Sequence, residues 1–144
     1  MDGITGRALT YSDTYEKAKN FAGSLKRASV SEKDVLAIIL PNCVEFPIIF
    51  SGAASVNIPT TTMNPIYTPY EIARQLKFSL ATMAVTNAQL LPIVLEAVKI
   101  LNDEVKCRIQ VIVTGKLNLS LDCFPFSHIN NALYNMSYRM IFTR

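Results

Sequence analysis

Six consecutive apolar residues, Val35-Leu36-Ala37-Ile38-Ile39-Leu40, stand between Asp34 and Pro41. A strand with one wet face alternates apolar and polar residues, because successive side chains point to opposite sides. This run does not alternate, so both of its faces must be covered. It is also short for a helix and stops at a proline. Strands of this kind belong to parallel sheets with helices packed on each side. The run therefore narrows the chain to the α/β class.

The remaining pattern repeats the theme. Leu9-Thr10-Tyr11 reads as a short extended segment, and Ser12 as an N-cap with Asp13 at the positive end of a helix dipole. Tyr15, Ala18, Ala22 and Leu25 then recur at helical spacing, predicting an amphipathic helix over residues 12–27. After the first strand, Asn42 and Glu45 stand three apart like a capping box. The segment 46–56 reads as a helix that is apolar nearly all round, hence buried, with small residues Gly52-Ala53-Ala54-Ser55 where another backbone could approach. Asn57 suits a left-handed residue closing it. Residues 58–62 read as a β-branched strand, and Asn64-Pro65 breaks it. Thr68, Pro69 and Glu71 spell a capped helix start. Residues 82–86 and 109–113 read as strands, with a helix opened by Asn87 between them. Strands alternate with crossover-length helices, so residues 9–115 are expected to form one doubly wound α/β unit with a parallel sheet. Residues 116–144 follow no sustained period, yet Phe124, Phe126, Tyr134, Tyr138 and Phe142 make them apolar for a polar tail.

Several function classes are disfavoured. The net charge is +3 over 144 residues, and no basic cluster exceeds Lys26-Arg27, so no nucleic-acid footprint is present. No apolar stretch approaches a membrane span, and no secretory leader opens the chain. The three cysteines, Cys43, Cys107 and Cys123, are sparse and odd in number, which suits a reducing compartment. The sequons at Asn118 and Asn135 are then chance matches.

One ordered set of residues points further. Leu9-Thr10-Tyr11, Lys33-Asp34-Val35, Leu40-Pro41-Asn42-Cys43 with Glu45-Phe46-Pro47, and Asn64-Pro65-Ile66-Tyr67-Thr68-Pro69 with Glu71 and Gln75-Leu76 together resemble the adenylate-forming (AMP-binding) ligase superfamily. The nearest branch is that of 4-coumarate–CoA ligases, acyl-CoA synthetases and luciferases. The resemblance covers residues 2–115 and implies the N-terminal portion of the family's large domain: 1–115 as a partial α/β domain, 116–144 as an unmatched tail. In the full-length family it implies ATP, Mg2+ and CoA, used to adenylate a carboxylic acid and pass the acyl group to a thioester. It also implies that the phosphate loop, the adenosine motifs and the C-terminal lysine domain lie further along than this chain reaches, and that the family's start lies further upstream. The chain departs from the family at Ser29, Lys33 and Asn57, where glycine is usual.

No chemistry-bearing constellation emerges from the residues themselves. The glycines are scattered, so neither a phosphate loop nor the G-x-G-x-x-G dinucleotide fingerprint exists, and a dinucleotide-binding module is the weakest reading. Thr60-Thr61-Thr62 reads as strand-end threonines. His128 and Cys123 lack the further ligands or base that a metal site or dyad needs. Cys43 and Cys107 read as small buried hydrophobes, and Asp103-Glu104 as a solvated loop. The expectation is thus a fragment or truncated relative of an acid–CoA ligase, inactive alone, with no catalytic, cofactor-binding or metal residue of its own and no cofactor expected. The alternative is a non-catalytic interaction module that self-associates, or pairs or interferes with a full-length ligase. A cytoplasmic location is expected, since Phe142-Thr143-Arg144 is no peroxisomal signal.

Overall fold

The computed structural model describes residues 6, 8–106 and 109–114. Four helices and four strands alternate: α1 Tyr11–Arg27, β1 Leu36–Ile39, α2 Glu45–Ala54, β2 Thr60–Met63, α3 Pro69–Phe78, β3 Met83–Asn87, α4 Leu91–Val105 and β4 Gln110–Thr114. The strands form one sheet in the order β2-β1-β3-β4. Every pairing is parallel, with Leu36 opposite both Thr60 and Met83, and Met83 opposite Gln110. The expected α/β class and parallel sheet are therefore present.

The apolar run that opened the argument is covered on both faces. Leu36 and Ile38 point into a core with Phe21, Leu25, Ile49 and Ala53 of α1 and α2. Ala37 and Ile39 point the other way, into a core with Ile72, Leu76, Val94 and Val98 of α3 and α4. All four strand residues are fully buried, at 0% exposure. The result is a three-layer sandwich, helices on each side of the sheet.

Local chemistry explains the element ends, with several corrections. α1 is capped by Thr10, not Ser12: the Thr10 hydroxyl accepts from the Asp13 amide while the Asp13 carboxylate accepts from the Thr10 backbone and hydroxyl. The cap lies two residues upstream of Ser12 because Asp13 needs its partner three positions before it. The Asn42/Glu45 box does not form; α2 starts after Val44 with no side-chain cap, and Glu45 is already helical. Thr68 and Glu71 do form theirs, with Pro69 at the helix start. Asn57 takes the left-handed conformation expected of it, at φ 58°. Ser29 also lies there, at φ 58°, whereas Lys33 does not. Leu80 and Lys106 close α3 and α4 at φ 54° and 50°, positions no turn residue announces. Asp103 and Glu104 belong to α4 rather than to a loop, and Glu104 pairs with Lys77 of α3 at 2.9 Å.

α1 and α2 meet closely at Gly52. A Cβ there would lie 2.7 Å from the Ala18 carbonyl oxygen and 2.9 Å from Phe21 Cδ1. Glycine is thus the residue that lets these two helices share one face of the sheet.

Candidate functional site

Strand order reverses between β1 and β3, the two central strands. α2 leaves β1 toward one face and α4 leaves β3 toward the other. Such a switch point marks the place, at the carboxyl ends of the strands, where open α/β sheets bind ligands. The segments that border this edge are 40–44 after β1, 64–68 after β2 and 88–90 after β3.

The polar groups of these segments are largely engaged in building their own turns. Asn64 accepts from the Ile66 amide at 3.1 Å. Asn87, which ends β3 rather than capping α4, accepts from the Leu90 amide at 2.9 Å. Glu71 accepts from both the amide and the hydroxyl of Thr68, at 2.8 and 2.7 Å, and these bonds lower its pKa. A carboxylate held ionised in this way neither donates a proton nor readily takes one up near neutrality. Cys43 is half-buried against the α1/α2 core. Burial pushes its thiol pKa up, so it is neither the fully buried hydrophobe expected nor a thiolate nucleophile.

Two features at this edge are not explained by turn building. Thr86, at the end of β3, is fully buried, and its Oγ1 has no hydrogen-bond partner. Its only sequence signal is one polar residue ending an apolar strand. Gln75 of α3 reaches the outer edge of β2, donating to Thr61 Oγ1 at 3.1 Å and to the Thr62 carbonyl at 3.0 Å. Thr61 is thereby tied to α3, and Thr60-Thr61-Thr62 are strand residues as expected. An open groove of about 330 Å³ runs beside this contact, lined by Tyr67, Glu71, Arg74, Gln75 and Phe78. The Arg74 guanidinium sits over the Phe78 ring, 5.5 Å from its centroid.

This inventory lacks the convergence that acid–base or nucleophilic catalysis requires. Among the described residues, no group of three or more His, Cys, Asp or Glu could hold a metal ion. Cys107, Cys123, His128 and the sequons lie outside the described residues. Among those described, no helix is long and apolar enough to cross a membrane.

Comparison with known proteins agrees with the ordered residues quoted above. The sequence model of the family described as AMP-binding enzyme matches residues 3–131, running past Gly115. A 4-coumarate–CoA ligase 3 of Oryza sativa subsp. japonica is 41% identical over 88 residues, which is 61% of this chain and 16% of that protein. A red-emitting luciferase of Phrixothrix hirtus superposes with a TM-score of 0.67 at 28% identity, covering 78% of this chain and 26% of that one. A benzoate CoA ligase of Burkholderia xenovorans shares the fold, with a TM-score of 0.66 at 23% identity, over 74% of this chain and 21% of that one. The chain spans about a sixth of the length of the curated relatives it matches.

Proposed function

Because this chain belongs to the AMP-binding enzyme family, we propose that residues 1–115 form the N-terminal α/β portion of the large domain of an ATP-dependent carboxylic acid–CoA ligase. By itself this portion catalyses no adenylation. The observation that carries the reading is the state of the sheet's carboxyl edge. Asn64, Asn87, Thr68 and Glu71 are engaged in their own turns, and among the described residues no group of three or more His, Cys, Asp or Glu comes together.

Adenylation needs donors aimed at the phosphates and charge neutralisation by metal. The described residues supply neither, so no step is assigned to them. Their role is architectural: β1 and β3 place the topological switch point, and α2, α3 and α4 set the layers around it. ATP, Mg2+ and CoA would be held by the segments that complete the ligase, and a cytoplasmic location belongs to the same proposal.

Incubation of the purified chain with ATP, Mg2+, CoA and a panel of aryl and acyl carboxylic acids tests the claim of inactivity. The expected result is no pyrophosphate above background. Acid-dependent pyrophosphate release would overturn it. A second reading, pairing with a full-length ligase, is favoured by one observation, the exposed and uncharged stripe of Pro47, Phe50, Ser51 and Ala54 on α2.

A further inference from the structure

Of the eight large apolar side chains that stand exposed among the described residues, four fall between residues 66 and 80: Ile66, Tyr70, Phe78 and Leu80. The others are divided among α1, α2 and the end of α4. Each of the four is at least 64% exposed. Single exposed apolar residues need no explanation, but a cluster on one element does. This cluster belongs to α3 and the turns that flank it, beside the outer edge of β2.

The spacing gives the cluster a definite pattern. Tyr67, Glu71, Arg74 and Phe78 recur at intervals of four, three and four, so they form one stripe, and all line the groove of about 330 Å³. Aromatic rings stand at the two ends, with one anion and one cation between them. Lys77 is turned toward α4, where it pairs with Glu104 at 2.9 Å, so Arg74 is the cation of the stripe. Its guanidinium lies over the Phe78 ring and forms no ion pair among the described residues. Glu71 receives both Thr68 bonds on one oxygen, Oε2, which leaves Oε1 to accept from another molecule. Reversed, the stripe keeps its order of aromatic, charge, charge, aromatic, with the signs exchanged. An antiparallel copy, related by a two-fold axis passing between Ile72 and Ala73, would set Glu71 against Arg74 and Tyr67 against Phe78, each twice.

We propose that the outer face of α3 is a self-complementary surface on which two copies of this chain pair about a two-fold axis, α3 antiparallel to α3. The charges select this occupant. An acidic segment would meet Glu71 and a basic one Arg74, whereas a second copy presents both signs in the order the groove needs. At each end of the contact Ile66 of one copy comes beside Leu80 of the other, which removes from water the apolar side chains that α3 and its turns expose. One helix and its flanking turns per copy make a small interface, so the pairing is weak. It goes beyond the ligase reading and stands or falls apart from it.

Sedimentation equilibrium of the 144-residue chain from about 5 to 500 μM spans the Kd on the order of 100 μM expected of so small a contact. The chain should pass reversibly from monomer to dimer. Arg74→Glu replaces two attractions by two like-charge contacts and should weaken pairing at least about 10-fold. Phe78→Ser, which alters neither charge nor core, should also weaken it. Glu71→Arg should be monomeric, yet an equimolar mixture of Arg74→Glu and Glu71→Arg chains should dimerise, because every charge pair across the two-fold is again of opposite sign. Circular dichroism checks that each variant folds, since Glu71 belongs to the α3 cap. A parent that stays monomeric at the highest concentration would overturn the proposal. So would self-association that Arg74→Glu and Phe78→Ser leave unchanged, as pairing through another face would give. Folded single variants that fail to associate when mixed would overturn the antiparallel register, and should Glu71→Arg not fold, Arg74→Glu and Phe78→Ser decide alone.

Discussion

Replacing Gly52 by alanine sets two opposed effects against each other, and the structure decides which wins. In a helix interior alanine is favoured over glycine by about 1 kcal/mol, so local propensity alone makes the variant more stable. The new methyl, however, would sit 2.7 Å from the Ala18 carbonyl oxygen, about 0.7 Å short of ordinary contact at 3.4 Å. That oxygen is helix backbone and cannot swing aside. α1 and α2 must part instead, and a gap of about 0.5–1 Å forfeits roughly a quarter to a half of each dispersion contact across the seam. Overpacking of this kind costs about 1–3 kcal/mol. A clash with rigid helix backbone at 2.7 Å and a second with Phe21 at 2.9 Å put the cost in the upper part of that range, about 2–3 kcal/mol, so with the propensity gain included Gly52→Ala should destabilise the chain by about 1–2 kcal/mol, a fall in Tm of roughly 3–10 °C for a domain of this size. Gly23→Ala is the matched control. Its methyl meets only Arg27 Nη1 at 3.3 Å, the far end of a flexible side chain, so a gain of about 0.5–1 kcal/mol is expected. Thermal and urea unfolding followed by circular dichroism give both values. A Gly52→Ala variant as stable as the parent, or a Gly23→Ala variant that loses more, would refute the close approach of α1 and α2.

Two further outcomes follow from single groups. Thr86→Val removes a fully buried hydroxyl that has no partner, and it should raise stability by about 1 kcal/mol; a loss in urea unfolding would mean the hydroxyl is bonded after all. Asp34 accepts from the Ser31 amide and hydroxyl and from the Thr82 hydroxyl, at 2.9, 3.1 and 2.9 Å, and the Ser31 amide does most to hold its pKa below the ordinary 3.8. A depressed folded pKa contributes stability that is complete above the unfolded value and is lost as pH falls through the folded one. The chain should therefore lose stability as pH drops below about 4, and Asp34→Asn should flatten that slope; an unchanged slope would remove Asp34 as its source.

The layers of this fold are legible because strands buried on both faces leave an unbroken apolar run, and Val35–Leu40 is such a run. The Thr68/Glu71 cap is legible because its residues must lie three apart. The same rule misled at Asn42 and Glu45, where spacing alone does not place a side chain against an amide. Leu80 and Lys106 escaped notice because a left-handed closing residue is expected to be glycine or asparagine. Gln75 could not be placed either, since its partner edge exists only once β2 is known to be outermost. As for the site, the sequence reading assigned no residues. Thr86 offered it only a polar residue ending an apolar strand, while the missing partner is a property of packing rather than of pattern.

The central claim is that this segment serves as the N-terminal part of a ligase. It is tested most directly by pyrophosphate release from a chimera carrying residues 3–114 in place of the matched segment of the rice 4-coumarate–CoA ligase, assayed with ATP, Mg2+, CoA and 4-coumarate beside the 144-residue chain. Acid-dependent release by the chimera and none by the chain is the predicted result. A folded chimera without activity, or turnover by the chain alone, would contradict it.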